Sequence, residues 1–91
     1  MIANRVIFEG RVQGVGFRYT VKQTAMGFDI LGNVKNLPEG TVELNLMGEK
    51  DEVEEFINEI VEESTLAHHI KDTHVVEIPL LKNVKGFTIS A

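Results

Sequence analysis

Apolar and polar positions alternate in some stretches of the chain and recur at three-to-four spacing in others, which separates strands from helices. In residues 5–12, Val6, Phe8, Gly10 and Val12 fall on one side of an extended chain with Arg5, Glu9 and Arg11 between them, so a first strand is predicted. The period then changes, and Phe17, Val21, Ala25 and Phe28 share one face of a helix over residues 18–28. Gly27 weakens its last turn. Residues 31–36 and 41–47 form a hairpin around Leu37-Pro38-Glu39-Gly40, where proline second and glycine fourth suit a type I turn. The return strand alternates cleanly, with Val42, Leu44 and Leu46 inward and Thr41, Glu43 and Asn45 outward. Residues 51–63 carry Val53, Phe56, Ile57, Ile60 and Val61 at i, i+3, i+4, i+7 and i+8, an apolar helical stripe. Asp51 followed by Glu54 predicts a capping box at its start. Residues 64–73 read as a connector. Residues 74–81 then form a strand with Val76, Ile78 and Leu80 on one side, an edge strand because Pro79 cannot donate to a ladder. A short strand over 86–89 closes the chain.

The predicted order is β-α-β-β-α-β with one extra short strand. Right-handed crossovers then place both helices on one face of a mostly antiparallel sheet, a ferredoxin-like α+β sandwich. With 91 residues the chain makes one domain, 1–91, that buries roughly 60–65% of its unfolded surface, enough for a core without staples. That topology hosts many functions, so the fold alone leaves the activity open.

Charge and composition narrow the field. The formal charge of −5 argues against a non-specific nucleic-acid binder and requires any phosphate site to be locally positive against the global field. The outward strand positions Ile7, Glu9, Arg11, Glu43, Asn45 and Met47 offer no aromatic platform for RNA bases. There is no cysteine, which removes disulfides, thiolate catalysis and zinc–thiolate sites. With no basic leader and no apolar run of membrane length, the expectation is a cytoplasmic monomer with no membrane or nucleic-acid partner. His68 and His69 are adjacent rather than one helical turn apart and His74 begins a strand, so no metal site is expected. The acidic run from Glu52 to Glu63 is a solvated helix face, and Met26 and Met47 are filler or surface groups.

The chemistry gathers at residues 10–18, Gly10-Arg11-Val12-Gln13-Gly14-Val15-Gly16-Phe17-Arg18, between the first strand and the first helix. Glycines let the backbone turn tightly and aim N–H groups at one point, a nest for an anion. The helix start adds unpaired donors and partial positive charge, and Arg18 adds a planar fork matched to two phosphate oxygens. On spacing alone this is either a phosphate cradle or an ordinary strand-to-helix turn followed by a solvated arginine. No Gly-Lys-Ser/Thr follows, and Gly10, Gly14 and Gly16 do not make G-x-G-x-x-G, so it is neither a Walker A nor a dinucleotide loop. Asn36, just before the hairpin turn, reads from its position as a turn asparagine. Tyr19 either flanks the phosphate site or packs along the helix, and Lys35 is a surface charge that steers anions.

The stretch from Gly10 to Arg18 resembles the first signature of the acylphosphatase family. Asn33-Val34-Lys35-Asn36-Leu37-Pro38-Glu39-Gly40-Thr41-Val42-Glu43 resembles its second, at the family's spacing. The resemblance is strong over residues 5–48 and weaker beyond. It departs at Asn33, where an aromatic residue is common, and in the 63–73 connector, which lacks the usual Gly-Pro-Pro-like ending. The resemblance implies hydrolysis of small acyl phosphates such as carbamoyl, acetyl or glyceroyl phosphates. Arg18 would bind the phosphoryl group, backbone N–H groups of Gln13, Gly14, Val15, Gly16 and Phe17 would complete the cradle, and Asn36 would orient the attacking water. It further implies no metal, no other cofactor and no covalent intermediate. The alternative is a binding module that keeps the cradle and turns over poorly.

Overall fold

A computed structural model describes residues 1–90 of the chain. The elements run β1 (Ile2–Gly10), α1 (Phe17–Ala25), β2 (Ile30–Asn36), β3 (Val42–Gly48), α2 (Lys50–Asn58), β4 (Ile70–Ile78) and β5 (Phe87–Ile89). The strands form one sheet in the order β4-β1-β3-β2-β5, antiparallel at every junction except β2–β5, which is parallel. This is the ferredoxin-like arrangement expected, with a short parallel strand added at one edge.

Alternation explains the two sheet faces. Val6, Leu44 and Val34 stand side by side across β1, β3 and β2, and all three are fully buried with Phe17, Val21, Val53, Phe56 and Ile60 of the helical segments. Burying this apolar set against one face holds the helices there. The next row, Arg5, Asn45 and Asn33, faces the other way. There Arg5 Nε donates to Asn45 Oδ1 at 3.0 Å, and Asn45 Nδ2 donates to Glu43 Oε2 at 2.9 Å and Asn33 Oδ1 at 3.3 Å. Asn45 is thus on the outer face as expected, yet only 8% exposed, because its neighbours cover it. Lys35 also turns this way, 3.5 Å from Glu43 Oε2, so it forms an ion pair rather than steering anions. Met47, expected to be filler or surface, is buried at the far end of β3.

Several boundaries move for identifiable reasons. β1 ends at Gly10, not at residue 12, because its register against β4 shifts between Glu9 and Gly10, while Val12 stays buried from the loop. α1 stops at Ala25, where Met26, Gly27 and Phe28 bond back three residues to Gln23, Thr24 and Ala25 and tighten the last turn. α2 begins at Lys50 with Glu49 at its N-cap and no side-chain cap, and Asp51 Oδ1 accepts instead from the Glu52 N–H, so the capping box does not form. Its end over Glu59–Glu63 widens to a π-helical turn, as the Ser64 N–H bonds Glu59 O at 2.8 Å and the Ser64 hydroxyl bonds Ile60 O at 2.7 Å. Part of the expected connector is strand: β4 starts at Ile70, opposite Gly10, next to the Arg11 N–H bond to His69 O. β4 is an edge strand, but it ends before Pro79, and Val76 and Leu80 are exposed rather than packed on one side.

Three aromatic rings tie the distal half together. Phe56 of α2 is fully buried, with the Phe28 ring 5.4 Å away and the Phe87 ring of β5 6.1 Å away, both edge-on. Removing its ring leaves a cavity shared by three segments. Phe56→Ala is expected to cost about 3–5 kcal/mol in urea denaturation; a loss below about 1 kcal/mol would show that the rings do not pack as one unit.

Candidate active site

β1 and β2 both run antiparallel to β3, so their C-terminal ends leave the sheet at the same end, and β5, parallel to β2, ends there too. Residues 11–16 leave β1 at this end, Asn36 terminates β2, and Ile89 ends β5 with Ser90 just beyond it. Sheet topology therefore gathers groups distant in sequence.

The loop reaches α1 through left-handed backbone at Gly14 (φ 77°) and Gly16 (φ 78°). A Cβ at either glycine would meet nothing within 4 Å, so it is the dihedral angle and not crowding that calls for glycine. Gly16 is the N-cap, no side chain caps the helix, and its first turn holds no acidic residue. The donors and partial positive charge of the helix start thus stay open to an anion.

A cleft of about 200 Å³ at this end is lined by Val12, Gly14, Gly16, Phe17, Arg18, Tyr19, Asn36 and Ile89. Arg18 is half-buried and its Nη1 donates to the carbonyl of Ser90 at 3.3 Å, which fixes one arm of the fork. Asn36 Oδ1 is buried with no hydrogen-bond partner among the described residues. An unpartnered buried amide oxygen is costly unless something else occupies the cleft.

Of the residues expected at the site, Arg18, Asn36, Gly14, Gly16 and Phe17 line this cleft. The Phe17 ring is buried against Phe8 with centroids 5.1 Å apart, so Phe17 offers the cleft backbone. Val15 turns its side chain onto the core. The Gln13 side chain leaves the cleft altogether, its Nε2 donating to Leu37 O at 2.9 Å and Thr41 O at 2.8 Å. It pins the loop to the hairpin that carries Asn36, a role the sequence reading did not give it. The hairpin itself closes as expected, with Gly40 N–H bonding Leu37 O and Leu37 N–H bonding Thr41 O.

Other concave and titratable features differ in kind. A larger depression of about 780 Å³ lies along α2, but Glu54, Glu55, Glu59 and Glu63 line it and would repel phosphate. The His68 and His69 rings stack 4.1 Å apart, and His74 pairs with Glu9 across β4 and β1. Among the described residues no group of three His, Cys, Asp or Glu is placed to hold a metal ion, and no helix is long and apolar enough to cross a membrane.

The acylphosphatase family model matches residues 4–89, so it takes in the loop, Asn36 and β5 alike. The chain belongs to the acylphosphatase family. It is 43% identical over 84 residues to the acylphosphatase of Methanospirillum hungatei, spanning 92% of this chain and 88% of that protein. The crystal structure of the acylphosphatase from Bacillus subtilis superposes with a TM-score of 0.89 at 34% identity, over the whole of both chains. HypF of T. kodakarensis also contains this fold: the match covers 100% of this chain and 12% of that one, with a TM-score of 0.85 at 28% identity.

The Gln13 bonds make the acylphosphatase loop and hairpin one unit. Gln13→Ala deprives two partly buried carbonyls of a donor and is expected to cost about 1–3 kcal/mol. Gln13→Glu is expected to cost more, since an ionised carboxylate only accepts and would face those two carbonyls. Equilibrium denaturation at neutral pH checks the order; a stable Gln13→Glu variant would show that the amide does not hold the loop.

Proposed function

We propose that the protein hydrolyses the carboxyl–phosphate bond of small acyl phosphates by in-line attack of water, with no metal and no covalent intermediate. The observation that carries this reading is Asn36 Oδ1, a buried acceptor without a partner in the same cleft as Arg18 and the open start of α1. One end of the cleft suits a phosphoryl dianion and the amide suits a water beside it. Membership of the acylphosphatase family supports the same assignment.

The chemistry asks little more of the protein. The leaving group is a carboxylate whose conjugate acid has a pKa of about 4, so it departs without a general acid. What remains is to hold the phosphoryl group, neutralise charge in a loose transition state and place the water in line. Arg18 and the N–H groups of Gln13 to Phe17 take the equatorial oxygens. The Asn36 oxygen accepts a hydrogen bond from the water, aiming a lone pair at phosphorus, and stays neutral where a carboxylate would repel the phosphate. The water oxygen bonds to phosphorus, the acyl oxygen leaves with the electron pair of the broken bond, and the water's protons remain on the phosphate product. One copy carries every group needed, so a monomer suffices, and the cytoplasmic location expected from the composition belongs to the same proposal.

Benzoyl phosphate hydrolysis in EDTA tests the assignment. Arg18→Ala is expected to remain folded and lose at least about 10²–10³-fold in kcat, and Arg18→Lys to be severely impaired because a point charge cannot replace the fork. Near-full activity in a folded Arg18→Ala variant would sink the proposal. Asn36→Ala is expected to lower kcat by a comparable factor while inorganic phosphate still inhibits, since the cradle is intact. Unchanged turnover would show that Asn36 does not orient the attacking water.

A further inference from the structure

Resting on the phosphoryl-transfer reading above, the geometry points to Tyr19 and Ile89 as the surface that recognises the acyl part of the substrate, and to acyl phosphates with an apolar acyl group as the class preferred. Large apolar side chains left in water forgo the stabilisation of burial. Tyr19 is 63% exposed and Ile89 39% exposed, and both line the cleft that holds Arg18 and Asn36. The other exposed large apolar groups, Met1, Met26, Val75, Val76 and Leu80, lie away from it.

Their positions follow from the elements that build the phosphate end. Tyr19 succeeds Arg18 on α1, and with the Phe17 ring turned into the core the Tyr19 ring is directed outward. Ile89 lies on β5 opposite Val34 of β2, immediately before the Ser90 carbonyl that holds Arg18. A phosphoryl group seated on Arg18 and the loop therefore carries its acyl group out between an aromatic ring and a branched aliphatic chain.

The lining also says what is not favoured. Among the described residues that line the cleft, Arg18 is the one cation and none is a carboxylate. With Arg18 engaged by the phosphoryl group, an acyl group bearing a second phosphate or carboxylate finds no further cationic partner among the described lining residues. A small polar acyl group leaves both apolar side chains in water. A flat or branched apolar acyl group covers them, and the volume of about 200 Å³ is many times the roughly 10–15 Å³ that one water needs.

The experiment compares kcat/KM for benzoyl and acetyl phosphate in wild type, Tyr19→Ala, Tyr19→Phe and Ile89→Ala, with inhibition by inorganic phosphate measured alongside. Normalising each variant to the wild-type ratio cancels the different reactivities of the two compounds. The benzoyl-to-acetyl ratio is expected to fall about three- to tenfold in Tyr19→Ala, the scale of an aromatic contact, and by a smaller factor in Ile89→Ala. Tyr19→Phe should keep the ratio, and inhibition by phosphate should stay within about twofold throughout, a difference of under ~0.5 kcal/mol. An unchanged ratio in both alanine variants overturns the inference and leaves the hydrolase reading standing. A Tyr19→Phe variant as impaired as Tyr19→Ala overturns it too, because the hydroxyl and not the ring would then be read. Failure of folded wild type to hydrolyse either compound overturns the hydrolase reading first, and the acyl surface with it.

Discussion

Everything at the site depends on how a loop leaving β1 is held against a hairpin leaving β2, across the width of β3. The sheet alone brings these ends to the same side, but it sets them two strands apart. The Gln13 amide closes that distance with bonds to Leu37 O and Thr41 O, on either side of the turn that follows Asn36. Gly14 and Gly16 then let the backbone turn toward α1 through left-handed dihedral angles. The geometry between Arg18 and Asn36 is thus fixed by backbone and by one amide, not by a direct contact between the two. Within that frame the Asn36 oxygen is left without a partner among the described residues, while Arg18 rests one arm on the Ser90 carbonyl.

Electrostatics follow the same economy. A chain of net charge −5 presents to an anion at this end the open start of α1 and, among the described residues of the cleft, a single guanidinium rather than a basic patch. Several glutamates are held elsewhere: Glu54, Glu55, Glu59 and Glu63 line their own depression, and Glu43 is engaged by Lys35 and Arg5 on the outer sheet face. Fixed N–H dipoles need no reorganisation when charge moves in the transition state. Among the described residues no Asp, Glu or His lines the cleft, and an activated leaving group makes that tolerable, so such a site suits an acyl phosphate better than a phosphate ester.

Periodicity made the elements legible because each strand and helix has one buried face. Val42, Leu44 and Leu46, and Val53, Phe56 and Ile60 of the helical stripe, are buried as their spacing requires, with Ile57 and Val61 partly buried against them. The edges were less legible, since β4 has charged and exposed apolar residues in no regular pattern and only its pairing with β1 defines where it starts. Asp51 and Glu54 matched a capping pattern, but the helix starts two residues too early for it, with Glu49 at the N-cap. At the site, Arg18 and the glycines stood out in sequence because their neighbours are so constrained. Gln13 could be read only as a loop residue: its partners are carbonyls 24 and 28 residues away, and carbonyls leave no mark in a sequence. The contribution of Ser90 to Arg18 was hidden for the same reason, 72 residues apart and through the backbone.

β5 is where these strands of argument meet. Three residues paired on one side, to β2, add little stability of their own as a strand. Yet Phe87 packs on Phe56, Ile89 lines the cleft, and the carbonyl of Ser90 just beyond holds Arg18. The parallel direction of β5 matters here, because an antiparallel strand at the same edge would deliver its C-terminal end to the opposite side of the sheet, away from Arg18. Packing of Phe87 in the distal half of the core and orientation of the guanidinium at the site are consequently joined through four consecutive residues. A change that undocks Phe87 weakens the core and frees Arg18 together, so stability and site geometry are coupled at this edge.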